Sequence, residues 1–227
     1  MNKKFVIILN CILLALILAG DVLYIVFGDL WLKGLTSAFF VLLGVINLIY
    51  ATKLKSSKQK FSFILVIGLI FAMLGDIILN IHFISGAILF AVGHVFFFIS
   101  YCFLQKFSWK DLLFGAIIFI PSVLVITLVP IFDFGGVLME IVCVVYALII
   151  SLMVGKAISN LIRERNLLNL IMVLGSVLFF FSDLMLLLDV FGNLSVVGIL
   201  CLATYYPAEF LLAHSIYIGA GENHDTK

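Results

Sequence analysis

Of 227 residues, 65% are hydrophobic and only 11% are charged, and the mean hydropathy is +1.36. Soluble domains average about 25% charged residues, so this composition excludes a soluble enzyme, and residues 1–227 read as a single integral membrane domain. The net charge of +1 gives no reason to expect a nucleic-acid partner, because the basic residues fall in short loops.

A helix needs about 20 apolar residues to cross a bilayer. By that measure the chain divides into eight spans, at 4–27, 31–52, 61–80, 84–104, 112–130, 136–158, 167–189 and 194–218. The predicted fold is all-α, an eight-helix transmembrane bundle with short loops. The opening Met1-Asn2-Lys3-Lys4 and the apolar run behind it have the layout of a signal peptide. No small-x-small cleavage site follows before Phe27, so the run reads as a first span that is retained. Gly28-Asp29, Pro130, Gly135-Gly136 and Gly192-Asn193 mark connections. Pro121 falls inside the fifth span and is expected to kink it. Cys11, Cys102, Cys143 and Cys201 lie in apolar segments without paired spacing and read as free thiols.

With eight crossings, twelve of the 13 Lys and Arg residues share one side, from Lys3 and Lys4 through the Lys53–Lys60 loop to Lys227; Lys33 alone starts a span on the other side. The positive-inside rule then sets both termini in the cytoplasm. Minimal loops and small size fit a bacterial plasma membrane.

Hydrocarbon does not solvate a carboxylate, so an acidic residue within a span needs a partner, a proton or a water-filled cavity. Two such residues share a context. Gly68 to Asn80 reads GLIFAMLGDIILN and Leu174 to Asp189 reads LGSVLFFFSDLMLLLD, and the same spacing separates Gly68 from Asp76 and Gly175 from Asp183. Asp76 and Asp183 are therefore the candidate catalytic pair. Candidate supporting or substrate-binding groups are Lys33, His94, Tyr101, Glu140, Tyr146, Ser182, Tyr205, Tyr206 and Glu209. By helical spacing, Lys33, Ser37, Phe40, Gly44 and Asn47 form one row, and Gly68, Ala72 and Gly75 form a small-residue row that admits a close neighbour. Plainer readings stand beside these: Asp21 and Asp189 as interfacial groups, Lys33 snorkelling outward, and the tyrosines as packing residues with a polar tip. No metal is expected, since His82, His214 and His224 lie far from the depth of His94, and no cofactor is called for.

At these residues the chain resembles the YhhN, or lysoplasmalogenase-like, membrane proteins along nearly its whole length. The resemblance rests on Lys33, on Leu74-Gly75-Asp76, on Gly86, His94 and Tyr101, on Tyr146, on Phe180-x-Ser182-Asp183, and on Tyr205-Tyr206-x-Ala208-Glu209. Two departures stand out: the family often has Lys-Pro at Lys33-Gly34, and usually Gln at Glu209. The resemblance implies hydrolysis of the vinyl ether bond of lysoplasmalogens to a fatty aldehyde and a glycerophospho-alcohol, with a lysophospholipid and the surrounding membrane lipids as partners. Vinyl ethers are acid-labile, and their cleavage asks for one carboxylic acid to give a proton and one carboxylate to stabilise the cation and activate water. Asp76 and Asp183 suit those roles in either order. The alternatives are a proton-coupled small-molecule transporter and a non-catalytic lipid-binding protein, because buried Asp, Glu and His also build proton relays.

Overall fold

The computed structural model describes residues 2–192, 194 and 196–221; Met1, Asn193, His224 and Lys227, named above, lie outside them. The described residues form eight helices: α1 (Lys3–Phe27), α2 (Leu30–Lys53), α3 (Gln59–Leu79), α4 (Phe83–Leu104), α5 (Trp109–Leu128), α6 (Val137–Arg163), α7 (Leu167–Gly192) and α8 (Val197–Gly221). All eight are long and apolar enough to cross a membrane. Local chemistry sets their ends. Asn2 caps α1 through Lys4 N–H, Asp29 caps α2 through Trp31 N–H, and Gly28 turns the chain between them in the left-handed region at φ 66°. Side-chain oxygens at these positions satisfy the free N–H groups of a first helical turn.

The helices differ from the predicted spans mainly where a charge was taken for an interface. The sixth span was expected to stop at 158, yet α6 runs to Arg163, because Lys156 is fully buried and paired with Asp111 at 2.8 Å. Asp111 in turn accepts the backbone N–H of Ser108 at 2.8 Å and starts α5 earlier than predicted. Pro121 sits within α5 without ending it. Proline removes the bond to the carbonyl one turn back, and the adjacent Ser122 hydroxyl donates to Ile118 O at 2.9 Å.

Helix α8 packs on α1, α2, α3 and α7, whereas α6 is the only helix whose Cα atoms come within 8 Å of those of α5 among the described residues. Close crossings depend on glycine. Gly68 meets Phe97 and the carbonyl of Gly93 on α4, as the small-residue row anticipated, and Gly75 meets Phe90. A Cβ on Gly155 would lie 2.7 Å from the Cα of Gly115, so α5 and α6 touch backbone to backbone there. The same end of the α5–α6 hairpin is stitched by Arg163, which donates to Lys106 O at 3.0 Å, and by Asn160, which donates to Tyr101 O at 3.0 Å.

Gly155→Leu is expected to prise α5 from α6 and to destabilise the protein by at least about 1–3 kcal/mol. Gly34→Ala, whose new Cβ would meet Ile77 at an ordinary 3.6 Å, should change little. Thermal unfolding in detergent compares the two. Asp111→Leu alone strands a buried ammonium and should cost about 3–5 kcal/mol, and adding Lys156→Met should recover most of that loss.

Candidate functional site

Asp76 is 3% exposed, yet both of its oxygens are occupied. Lys33 Nζ lies 3.0 Å from Oδ1, and the hydroxyls of Ser37 and Tyr206 donate to Oδ2 at 2.6 Å and 3.0 Å. Lys33 and Ser37 are one turn apart on α2, which is why a single helix supplies both. Lys33 is itself 5% exposed and points into the bundle, with Tyr24 capping it at 5.2 Å from the ring centroid, so it does not snorkel outward. Tyr24 in turn donates to Asn80 Oδ1 at 3.3 Å, and Asn80 Nδ2 donates to the carbonyl of Asp76 at 2.8 Å. A buried charge is tolerable only when paired and hydrogen-bonded, and here α1, α2, α3 and α8 all contribute to that pairing.

Asp183 has different company. Its Oδ2 accepts the Tyr146 hydroxyl at 2.7 Å, and His94 Nε2 stands 2.8 Å from that hydroxyl and 3.4 Å from the carboxylate. The three groups come from α4, α6 and α7. His94 is fully buried with its ring edge-on to Phe179 at 4.6 Å, and its Nδ1 has no hydrogen-bond partner. An imidazole beside a phenol that bonds a carboxylate is a continuous line of exchangeable protons.

Two cavities meet at these groups. The first, about 310 Å³, is the more polar of the two, with Tyr24, Lys33, Asp76, Asn80, Asp183 and Asp189 set among apolar side chains. The second, about 380 Å³, is walled by apolar side chains including Ile118 and Val125 of α5, Ala147 and Ile150 of α6, and Phe180 and Leu187 of α7. Asp183 lines both, as do Leu79, Phe83, Phe90 and Leu186. Over the apolar cavity, Phe191 packs against Phe83 and Phe134, and its carbonyl accepts Asp133 N–H at 2.8 Å.

The remaining expected residues divide. Tyr206 binds Asp76 directly, and Tyr146 and His94 bind Asp183. Tyr205 lines the polar cavity with its ring among Phe40, Phe90 and Phe179, and its hydroxyl donates to Ala72 O at 3.4 Å. Ser182 lines the same cavity but spends its hydroxyl on Cys201 O at 2.9 Å, tying α7 to α8. Tyr101 lines neither cavity and bonds Ser176 at 2.9 Å. Glu140, expected to join the site, stays outside it: it sits half-buried in the first turn of α6 and lines neither cavity. Glu209 is fully buried, neither carboxyl oxygen has a partner, and it lies within electrostatic reach of both Asp76 and Asp183.

Sequence reading missed Ser37 as a ligand of Asp76, although the row that it shares with Lys33 was the signal. It also read Asp189 as interfacial, whereas Asp189 lines the polar cavity. No group of three or more His, Cys, Asp or Glu side chains suited to a metal ion occurs among the described residues.

A model of the YhhN family matches residues 32–216, a stretch that holds every group named around Asp76 and Asp183 except Tyr24. No match was found among curated proteins or among solved structures. The matched stretch spans most of the chain, and the chain belongs to the YhhN family.

Proposed function

We propose that this protein is an intramembrane hydrolase that cleaves the vinyl ether bond of a lysoplasmalogen. The observation that carries the reading is Asp183, a carboxyl group standing at the seam between a charged cavity and an apolar one. A single-chain ether lipid has the same division: a polar glycerophospho head, one hydrocarbon tail, and the reactive C=C–O unit where the two join. With the tail in the apolar cavity and the head among Tyr24, Asn80 and Asp189, the vinyl ether lies beside Asp183.

The chemistry then follows from the different settings of the two aspartates. Among the described residues no hydrogen bond reaches Asp183 Oδ1, while Tyr146 and His94 hold Oδ2. Asp183 gives a proton to the ether carbon β to oxygen, leaving an oxocarbenium-like cation. Asp76, ion-paired with Lys33, is the fixed carboxylate of the same cavity. It stabilises the cation and takes the proton of the water that attacks the carbon next to oxygen. The hemiacetal collapses as its hydroxyl proton returns to Asp183 and the proton held by Asp76 passes to the departing oxygen, which gives a fatty aldehyde and a glycerophospho-alcohol, and the only co-reactant consumed is one water.

Asp76→Asn and Asp183→Asn should each lower aldehyde release from a lysoplasmalogen by at least about 10²-fold, while the detergent-purified protein keeps its helical content and elution volume. Tyr146→Phe should retain more activity than Asp183→Asn, because it removes the hydroxyl link and leaves the carboxyl. Proton-driven solute uptake into liposomes without hydrolysis would favour a transporter instead.

Ala147 lines the apolar cavity between Cys143 and Ile150 on α6. Ala147→Phe is therefore expected to depress turnover of long-chain substrates more than that of short-chain ones, read as the ratio of kcat/KM across a chain-length series.

A further inference from the structure

Both cavities lie in the same half of the bundle. Around the polar cavity stand the last turn of α1 (Tyr24), the first turns of α2 (Lys33) and α8 (Gly198), and the closing turns of α3 and α7 (Leu79, Asp189). The apolar cavity uses the first turn of α4 (Phe83), the second turn of α6 (Val142) and the closing turns of α5 and α7 (Val125, Phe191). In a chain of eight alternating crossings, all of these helix ends share one side. The opposite side carries Lys3, Lys4, the loop with Lys53, Lys55, Lys58 and Lys60, and also Lys106, Lys110, Arg163 and Arg165.

The lysine-rich half is closed around this region. Gly115 and Gly155 bring α5 and α6 into backbone contact, and the buried pair Lys156 and Asp111 sits there with the exposed Arg163 at 3.7 Å from Asp111. Asn160 joins α6 to the carbonyl of Tyr101, and Gln105 Nε2 donates to Glu164 at 3.1 Å. Beyond that anchor α5 is a loosely seated wall. It buries only Asp111, Gly115 and Ile126, and the first two belong to the anchored end.

We infer that the site is filled and emptied from the leaflet opposite the lysine-rich face. That face is the cytoplasmic one by the distribution of basic residues, so the lipid comes from the outer leaflet and the water-soluble alcohol leaves on the outer side. The chain passes the unanchored part of α5 to reach the apolar cavity, with its end toward the bilayer centre and its head outward. The identity of the lipid and the bond cut rest on the hydrolase reading above, whereas the direction of access rests on the placement of the cavities and of the basic residues.

Proteoliposomes of mixed orientation separate the two. Trypsin added outside cuts the Lys53–Lys60 loop only in molecules whose lysine-rich face points out. Lysoplasmalogen is then supplied from outside, and the alcohol is measured in the external medium. External trypsin should leave this release unchanged, since the uncut molecules are the ones that face the substrate with their cavity. In parallel, a membrane-impermeant maleimide added outside should label Cys201, which lines the polar cavity, in the uncut molecules, and prior addition of the lysolipid should slow that labelling. Peptide mapping separates Cys201 from Cys11, Cys102 and Cys143. Loss of release on trypsin treatment, or labelling of Cys201 confined to the cut molecules, overturns the inference. Outward labelling of Cys201 without hydrolysis even in detergent supports the access route and removes the hydrolase reading.

Discussion

A carboxylate placed in hydrocarbon has to find its own solvation, and Asp76 finds it in Lys33, Ser37 and Tyr206. That requirement draws α2, α3 and α8 together, with Tyr24 of α1 laid over the ammonium. The pairing offsets a desolvation cost of several kcal/mol per ion, and such geometry is demanding because a lone partner is worse than none. A second buried pair, Lys156 with Asp111, meets the same demand at the opposite end of the bundle. The two differ in what surrounds them. Lys156 and Asp111 are sealed among backbone contacts at Gly115 and Gly155, whereas Lys33 and Asp76 line a cavity. One pair clamps helices, and the other holds a charge where a ligand can meet it.

Asp183 gains its distinct character from what it lacks. Among the described residues no lysine neutralises it, and a phenol and an imidazole stand beside it instead. Two aspartates that share a Gly-x7-Asp spacing thus have unlike chemistry, because their helices face different neighbours: α3 turns its acid toward α2 and α8, while α7 turns its acid toward α4 and α6. This asymmetry is what a reaction with one proton donor and one fixed carboxylate needs. Glu209 adds a third buried carboxyl within reach of both, two residues beyond Pro207, which has no N–H to give the carbonyl of Ala203 one turn back.

Much of this molecule was legible before its fold. Eight apolar runs of membrane length, and lysines gathered in alternate loops, are consequences of a solvent that accepts only satisfied backbone and few charges, and the eight helices follow them closely. Asp76, Asp183, His94, Tyr146 and Tyr206 were legible for the same reason: polar groups are rare in such spans and stand out wherever they occur. Glu140 and Tyr101 were equally conspicuous, yet the one stays at the first turn of α6 and the other bonds Ser176 away from both cavities. Rarity marks a residue without saying which neighbour it meets.

The linear sequence determined the class, the number of crossings and the short roll of polar side chains, because those depend on each segment's own transfer between water and hydrocarbon. Only the tertiary structure decided the pairings: Lys33 with Asp76 and not with solvent, Tyr146 and His94 with Asp183, and Lys156 with Asp111. The same packing decided that a polar and an apolar cavity share Asp183. Such choices are made between helices distant in the chain, where close approach at glycines and the rotation of each helix about its axis set the partner, and no local pattern of residues encodes that rotation.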